Sequence, residues 1–251
     1  MRKTLFFNFG FKGDLVRNPS SVNGRQFVFP TEPILYKPYD AARGSENANF
    51  GQENVCQCTF YETLDINVAY KVVLSNFGDG QGWSQPIHLH GNYFFVVKVG
   101  FGTYDRLSAK YLQETNDIHC DGRMKPSMCN SERWKESSWD DPNSILDIKL
   151  NNPPIKDTIV VPSGGYVVIR FKASNPGLWF FHSQVDLHTT NGMAMIFQVG
   201  PVSKSPMADN PHACLVKKET GGDNRPISNS CLLYTSPSPR DLSTSRMPSS
   251  A

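Results

Sequence analysis

Metal-binding side chains are concentrated in the stretch from Leu178 to Gly200, LWFFHSQVDLHTTNGMAMIFQVG. This stretch contains His182 and His188, six residues apart, and Met193, five residues further on. Imidazole and thioether donors at such a spacing can surround a single copper ion. Ser183 stands where a thiolate would complete that site. The stretch therefore predicts the frame of a metal centre in which one strong ligand is missing.

A second histidine-bearing segment, QPIHLHGN at residues 85–92, lies earlier in the chain. Alternation along a strand would point His88 and His90 in the same direction, so that they could serve neighbouring metal ions. In an antiparallel sandwich, the two segments can meet when their histidine-bearing ends lie at the same end of the fold. We therefore consider the four histidines together as a candidate metal site.

The composition indicates that short strands joined by turns position these residues. Of the 251 residues, 39% are hydrophobic and 19% are charged, with 19 glycines and 18 prolines, which favours an all-β fold. The length suffices for one large or two small domains. A formal net charge of +2 with scattered basic residues excludes nucleic acid and a membrane surface as predicted partners. The sequence also has no apolar run of the ~20 residues that a membrane span needs.

Hydrophobic periodicity predicts several strands along the chain. The segment LFFNFGF near the N-terminus is interpreted as an amphipathic strand, which would make Met1 an internal residue of a longer chain. Two further segments, KDTIVVP and GYVVIRFKA, are separated by Ser163-Gly164-Gly165 and predict a tight hairpin. In the segment before GDGQGW, every second residue is apolar or aromatic. This alternation predicts a strand with Val68, Tyr70, Val72 and Leu74 on one face.

Residues 102–146 break this pattern because they are polar and charged without clear periodicity. They predict a long surface insertion with a short helix near Ala109. Six cysteines in the chain form an even set, with no CxxC motif. Disulfides are the favoured interpretation, with reduced structural thiols as the alternative. They indicate an oxidising, extracellular compartment, and the candidate loop closures are Cys120 with Cys129 and Cys214 with Cys231.

The tail from Tyr234, YTSPSPRDLSTSRMPSSA, is rich in Ser, Pro and Arg and holds almost no apolar residues. Such a segment cannot contribute to a core. Its composition is typical of adaptor read-through on a translated transcript fragment, so we expect a disordered, non-native tail. A natural disordered terminus is the alternative interpretation.

The two histidine-bearing segments resemble the C-terminal cupredoxin domain of laccase-type multicopper oxidases, particularly those of arthropods and other animals. In that family the first segment reads HPxHLHGH, and the second reads HCHxxxH followed by GM or GL. The resemblance runs from about Asn23 to Gly200 through FVFPTEPILY, the CxC of Cys56 and Cys58, PIKDTIVVPSGGYVVIRFKASNPGLWFFH and MAMIFQVG. It implies a Greek-key β-sandwich or barrel of cupredoxin type, with copper as the cofactor.

The resemblance further implies a type 1 copper, which takes electrons from a reducing substrate. Its ligand positions fall on Gln85, Ser183, His188 and the weak axial Met193. Serine has a hard hydroxyl where blue-copper chemistry uses a thiolate, and glutamine is a feeble donor to Cu(II). Because the family's cysteine also carries the electron path to a trinuclear copper cluster, its absence would remove both the site and its connection.

In the family that this sequence resembles, the C-terminal domain supplies half of the histidines of that trinuclear cluster, which reduces dioxygen to water. His88 matches a type 2 ligand, and His90 and His182 match type 3 ligands. The remaining type 3 histidine is Gln184, and the family's histidine after HLHG is Asn92. A single histidine is more often a hydrogen-bonded structural residue than a ligand. The agreement of four with the family indicates common descent but does not establish metal binding.

Three further residues have two interpretations each. Asp157 and Asp186 could orient neighbouring histidines as hydrogen-bond acceptors, or they could be solvated carboxylates at strand ends. Met193 could be an axial ligand or a core residue, and with Ser183 present we favour packing.

The predicted organisation has four parts: an N-terminal strand or linker from a longer chain (1–22), a cupredoxin domain (23–200) with its insertion (102–146), a C-terminal loop segment (201–233) and the tail (234–251). We predict a fragment of a secreted laccase-like multicopper oxidase that has lost type 1 copper and turnover. Its predicted partners are the N-terminal cupredoxin domains of the same chain and, in an active form, a small phenolic substrate. The alternatives are an active oxidase with atypical ligands and a non-catalytic copper-binding module.

Overall fold

The computed structural model describes residues 4–11, 20–30, 34, 56–78, 83–121, 129–141 and 143–201. Within these ranges the strands are β1 (Thr4–Gly10), β2 (Ser21–Val22), β3 (Arg25–Phe27), β4 (Cys56–Cys58), β5 (Tyr61–Leu64), β6 (Ala69–Ser75), β7 (Gln85–Leu89), β8 (Phe94–Gly100), β9 (Thr103–Tyr104), β10 (Tyr111–Gln113), β11 (Ile118–Cys120), β12 (Glu132–Trp134), β13 (Ile155–Lys156), β14 (Thr158–Val161), β15 (Tyr166–Lys172), β16 (Gly177–Ser183) and β17 (Ala194–Val199). Helical structure in the same ranges comprises a 3-10 helix at Ser137–Asp140 and α1 (Asp186–Thr190). None of these described helices is long and apolar enough to cross a membrane.

Two sheets enclose the main core, and the predicted all-β sandwich is confirmed. One sheet has eight strands in the order β13-β8-β15-β6-β1-β2-β3-β4, and the other has five in the order β14-β7-β16-β17-β5. The chain crosses between the two sheets at each step from β4 to β8 and again from β13 to β16, as in Greek-key connectivity. Aromatic rings from both sheets meet between them, including Phe7, Phe9, Phe171, Phe181 and Phe197.

The predicted alternation around β6 is confirmed. Tyr70, Val72 and Leu74 are buried in the main core, and Val68, just before the strand, packs against it. The intervening Val73 belongs to a second hydrophobic cluster on the other side of the sheet. This central strand is therefore covered on both faces.

The predicted N-terminal strand is confirmed as β1, but it is not amphipathic, because it is covered on both faces. It pairs in parallel with β6 inside the eight-stranded sheet. Leu5, Phe7 and Phe9 enter the main core, whereas the ring of Phe6 lies 5.4 Å from that of Trp134 in the insertion. Periodicity within the strand does not reveal this covering, because Trp134 is distant in sequence.

Residues 102–146 build the second cluster and thereby cover the outer face of the eight-stranded sheet. They form the hairpins β9–β10 and β11–β12, followed by the 3-10 helix. The predicted helix near Ala109 is wrong, because Asp105 Oδ1 accepts hydrogen bonds from the amides of Leu107 and Ser108 and closes a turn. The second cluster comprises Val73, Phe77, Val97, Ile118, Trp134, Trp139, Ile145, Tyr166 and Val168.

The predicted hairpin at Ser163-Gly164-Gly165 is wrong, although the turn itself is present. The Gly165 amide donates to the Pro162 carbonyl at 3.0 Å. The preceding β14 pairs with β7 in the five-stranded sheet, whereas β15 pairs with β6 and β8 in the eight-stranded sheet. The turn therefore carries the chain between sheets, a choice that depends on partners distant in sequence.

The predicted disulfide between Cys120 and Cys129 is confirmed. It lies in the insertion, at the β11–β12 hairpin. The predicted pair Cys214 and Cys231 and the predicted tail from residue 234 lie outside the described residues.

Candidate metal centre

Adjacent strands of the five-stranded sheet bring the two histidine-bearing segments together. β7 runs antiparallel to β16, and His88 lies directly opposite His182. The HLHG segment is a strand as far as Leu89. The short helix α1 connects β16 to β17 and contains His188, which is buried.

The four residues at the type 1 positions meet in the interior. Gln85, Ser183 and Met193 are fully buried, and His188 is 4% exposed. His188 Nδ1 lies 2.8 Å from Gln85 Oε1, and Ser183 Oγ lies 3.4 Å from the same oxygen. Because an amide oxygen only accepts hydrogen bonds, the imidazole and the hydroxyl both donate to it. The imidazole N–H of His188 and the hydroxyl of Ser183 thus find an acceptor without an ion.

This arrangement does not fit the type 1 copper that the resemblance implies. Its donors are an amide oxygen, a hydroxyl, an imidazole and a thioether, and none of them is the charged, soft thiolate that selects blue copper. Gln85 Oε1 accepts hydrogen bonds from both His188 Nδ1 and Ser183 Oγ, so it lies between the side chains that would have to bind the ion. The Nε2 atom of Gln85 is buried and has no hydrogen-bond partner in the described part of the chain.

Two aromatic side chains that the sequence did not single out surround His188. The ring of Phe11 lies 4.5 Å from the imidazole, and Trp83 approaches it edge-on at 6.4 Å. Burial lowers the pKa of His188, which favours the neutral imidazole. No local sequence signal marks Phe11 or Trp83, because their proximity to His188 arises from long-range strand pairing. Met193 joins the main core, in line with the favoured packing role.

The three histidines at the trinuclear positions form a compact group at the end of β7 and β16. The ring centroid of His90 lies 4.7 Å from that of His88 and 5.1 Å from that of His182. The closest ring atoms are the Nε2 atoms of His90 and His182, which lie 3.0 Å apart. The structure therefore brings together the residues that were predicted to share a site.

Hydrogen bonds to Nδ1 prepare two of these histidines as ligands. His88 Nδ1 lies 3.0 Å from the Asp157 carbonyl and 2.8 Å from Thr158 Oγ1, and His182 Nδ1 lies 2.5 Å from the Ser183 carbonyl. A carbonyl oxygen only accepts, so both Nδ1 atoms carry hydrogen and both Nε2 atoms keep a lone pair.

The protonation state of His182 also suits ligation. Burial and the neighbouring His90 lower the pKa of His182 to about 3, so its imidazole is neutral at physiological pH. Metal binding to histidine requires this neutral form.

In this structure His90 Nε2 donates a hydrogen bond to the lone pair of His182 Nε2. Binding of one metal ion by this pair would require the other tautomer of His90. Two imidazole nitrogens bound to one tetrahedral ion lie about 3.3 Å apart, close to the 3.0 Å between these Nε2 atoms. Within the described ranges, no group of three or more His, Cys, Asp or Glu residues is arranged to hold one ion.

Of the predicted Gln, Asn and Asp positions, only Asp157 helps to orient one of these three histidine rings in the described part of the chain. Its main-chain carbonyl accepts from His88 Nδ1, and its carboxylate accepts from the Thr158 hydroxyl that also contacts His88. Gln184 is exposed, and Asn92 turns its side-chain amide back to the His90 carbonyl at 3.0 Å. Asp186 is exposed in the first turn of α1. Sequence reasoning missed Thr158, whose hydroxyl contacts His88 only because β14 pairs with β7.

Comparisons with known proteins agree with this architecture. Residues 27–203 match the multicopper oxidase family. Laccase-24 of Oryza sativa subsp. japonica is 32% identical over 185 residues, covering 73% of this chain and 26% of that protein. Laccase-6 of Arabidopsis thaliana is 30% identical over 171 residues, covering 68% of this chain and 23% of that protein. The chain thus spans about a quarter of the length of these curated relatives.

A solved structure supports the fold assignment. The crystal structure of Fet3p, a multicopper oxidase that functions in iron import, matches with a TM-score of 0.51 and 21% identity, covering 80% of this chain and 32% of that chain. At this identity the likeness shows the fold alone, which is the predicted cupredoxin-type sandwich. Copper is the cofactor of the family matched over residues 27–203. On these grounds the chain belongs to the multicopper oxidase family.

Proposed function

We propose that this chain is the C-terminal cupredoxin domain of a secreted laccase-like protein that has lost type 1 copper and oxidase turnover. In this proposal the domain keeps a structural or binding role. The observation that carries it is the hydrogen bond from His188 Nδ1 to Gln85 Oε1 at 2.8 Å, beside Ser183. Three of the four type 1 positions are thereby joined by contacts that need no metal.

The loss of turnover follows from the chemistry of electron entry. Oxidation of diphenols by single electrons requires a copper of suitable potential, and a cysteine thiolate is the ligand that defines such a centre. The hydroxyl of Ser183 stays protonated and offers only a weak oxygen donor. The exposed Gln184 next to it, in the position of a family histidine, would also weaken the trinuclear cluster.

The test is a measurement on purified full-length protein expressed from the complete transcript. We expect no intense blue absorption from a thiolate-bound copper and no oxygen consumption with a diphenol. An intense blue band with diphenol turnover would instead establish the active oxidase with atypical ligands, and the proposal would be wrong.

A second candidate function is a copper-binding module without turnover. The 3.0 Å separation of the Nε2 atoms of His90 and His182 favours it, together with the tautomer that the Ser183 carbonyl imposes on His182. Copper bound in this way would lack the thiolate absorption.

Titration of the chain with Cu(II), followed by calorimetry and electron paramagnetic resonance, distinguishes this module from a copper-free domain. We expect His90→Gln and His182→Gln each to lower the affinity by at least about tenfold, because even the loss of a partner that only orients a ligand typically costs about ten- to a hundredfold. The matched control is His119→Gln, because His119 is exposed and lies 3.4 Å from Asp121 in the insertion. Equal binding by all three variants would rule out the histidine pair as the site.

The remaining assignments are proposals of the same kind. The disulfide between Cys120 and Cys129 supports secretion, because disulfides persist in oxidising compartments. Relatives about four times as long support N-terminal cupredoxin domains as partners in the same chain. A phenolic substrate applies only to an active form. Kinship with arthropod members rests on the motifs of the sequence, whereas the relatives described above are plant laccases.

A further inference from the structure

A carboxyl group unrelated to the histidines is buried where the insertion meets the eight-stranded sheet. Glu132 begins β12, which packs across β1 on the outer face of that sheet. Its Oε1 atom lies 2.5 Å from Ser75 Oγ on β6. Its Oε2 atom is shielded from solvent and has no hydrogen-bond partner in the described part of the chain.

The charges around Glu132 do not neutralise a carboxylate. Glu114, which precedes β11, disfavours ionisation of Glu132 by charge repulsion. Lys71, on the same face of β6 as Ser75, directs its Nζ to the Trp139 carbonyl at 3.1 Å. The charges that act on Lys71 are instead Asp140, Arg170 and Asp141.

Among the described residues, the other elements packed against Glu132 bring no compensating cation. Cys120 lies opposite Glu132 on β11 and is held in the disulfide, while His119 is exposed. On β15, Tyr166 donates its hydroxyl hydrogen to Asp117 Oδ2 at 2.6 Å. The sequence of β1, TLFFNFG, contains no charged residue.

A proton on Glu132 completes a hydrogen-bond chain that an ionised carboxylate breaks. Ser75 Oγ has one hydrogen and lies 3.5 Å from Asn8 Oδ1 as well as beside Glu132. A protonated Glu132 donates to Ser75, whose own hydrogen is then available to Asn8. An ionised Glu132 takes that hydrogen and places a negative charge on Oε2, which is buried without a described partner, and a buried charge costs more than a buried neutral carboxyl. Burial raises the pKa of Glu132 to about 8, although the hydrogen bond from Ser75 acts in the opposite direction.

We propose that Glu132 is a proton-dependent latch that holds the insertion against the outer face of the eight-stranded sheet. While Glu132 keeps its proton, β12 stays on β1 and β6 and its Trp134 stays buried in the second cluster. When the proton is lost to water, the carboxylate moves outwards and the β11–β12 hairpin separates from the sheet. The disulfide between Cys120 and Cys129 keeps the hairpin together, so it moves as a unit.

The direction of the pH effect follows from proton binding. The pKa of Glu132 is about 8 in the docked state against an ordinary value of 4.5, so the docked state binds more protons. The proton therefore stabilises docking fully when the pH is below 4.5, the ordinary pKa of a glutamate. This stabilisation decreases as the pH rises from 4.5 to about 8, and it is absent at higher pH.

The experiment compares the full 251-residue chain with Glu132→Gln and with Glu136→Gln as a matched control in the same insertion. Glutamine keeps the shape of Glu132 but cannot ionise, and Glu136 is exposed. Limited proteolysis of the insertion is followed at about pH 6 and about pH 10, two units to either side of the pKa, with rates normalised to an unfolded substrate. We expect cleavage to rise about tenfold or more at the higher pH in the wild type and in Glu136→Gln, and to stay constant in Glu132→Gln. An equal rise in Glu132→Gln would overturn the latch.

A second measurement uses only the wild type, so it tests the proposal even if Glu132→Gln does not fold. Infrared difference spectroscopy between about pH 6 and about pH 10 detects a protonated carboxyl directly. We expect one protonated carboxyl band to disappear over this interval, because ordinary Asp and Glu side chains are already ionised at its lower end. The absence of such a band at the lower pH would overturn the proposal.

Discussion

Serine at position 183 changes the chemistry of the candidate centre more than any other single residue. A thiolate is charged and soft, whereas this hydroxyl is neutral and already engaged in local hydrogen bonds. Ser183 Oγ accepts a hydrogen bond from the Val185 amide at 3.2 Å and donates towards Gln85 Oε1 at 3.4 Å. Both contacts engage the hydroxyl, and one of them holds the Val185 amide that directly precedes α1.

Restoring the family ligands tests whether the pocket keeps its shape. The triple variant Ser183→Cys, Gln184→His and Gln85→His is expected to bind copper and to show an intense blue absorption, because it supplies the thiolate and the second imidazole beside His188. The control is Gln184→His with Gln85→His alone, which lacks the thiolate and should stay colourless with copper. A triple variant that takes up no copper would show that the pocket has closed around other contacts.

Removing the hydrogen-bond acceptor of His188 is expected to destabilise the fold. Gln85→Ala should lower the free energy of unfolding by about 2 kcal/mol, because a buried imidazole N–H loses its partner and a cavity forms. Urea denaturation gives the value. Gln184→Ala is the control, because this glutamine is exposed and should change stability by less than about 0.5 kcal/mol. Equal effects would mean that the bond from His188 to Gln85 carries no net stability.

At the scale of elements, β7, β14 and β16 hold the histidines, and the turn after HLHG fixes where His90 lies. Gly91 has a φ of +63°, and a Cβ atom there would lie 2.0 Å from Trp179 Cζ3. The Asn175 side-chain amide donates to the Gly91 carbonyl at 2.8 Å, and the Trp179 indole donates to the Asn175 carbonyl at 2.8 Å. The turn is therefore locked against β16.

Substitution of this glycine should cost more than its backbone conformation alone explains. Gly91→Ala combines the left-handed penalty of about 1–2 kcal/mol with the displacement of Trp179, so we expect a loss of about 3 kcal/mol or more in denaturant unfolding. Gly200→Ala is the matched control, because its φ is +65° but its Cβ would meet Ile66 at an ordinary 3.4 Å. The control should lose only about 1–2 kcal/mol. Similar losses in both variants would contradict the steric role of Trp179.

At the scale of the whole molecule, two hydrophobic clusters lie on opposite faces of the eight-stranded sheet. The main core fills the space between the sheets, and the insertion closes the second cluster from outside. Tyr166, on β15 of the eight-stranded sheet, donates a hydrogen bond to Asp117 and so connects the insertion to the sheet. Stability of the insertion can therefore change while the histidine group stays intact.

The disulfide gives a direct test of this separation. Cys120→Ser with Cys129→Ser opens a link across nine residues and should cost slightly less than about 3 kcal/mol, from the extra entropy of the unfolded loop. The expected result is a lower unfolding midpoint with unchanged Cu(II) binding by the histidine pair. Reduction of the wild type should reproduce the variant. Loss of copper binding together with the disulfide would show that the two regions unfold as one.

Local patterns predicted those features that depend on neighbours in sequence. The alternation correctly predicted the residues on the core-facing side at and just before β6, namely Val68, Tyr70, Val72 and Leu74. Side chains of a strand alternate between its two faces whatever its partner strands are. The disulfide between Cys120 and Cys129 was predictable because only a short loop separates the two cysteines in sequence. The hairpin at Ser163-Gly164-Gly165 and the amphipathic β1 were wrong, because partner sheets and the covering insertion lie far away in sequence.

The sequence by itself determined the family, the all-β class and the identity of each donor, because motifs and side-chain chemistry are local properties. It already showed Ser183 and Gln85 where strong copper ligands belong. Only the tertiary structure decided how those donors are used. Pairing of β7 with β16 sets the Nε2 atoms of His90 and His182 3.0 Å apart and turns His188 Nδ1 to Gln85 Oε1. Such geometry depends on long-range contacts, which no local sequence pattern specifies.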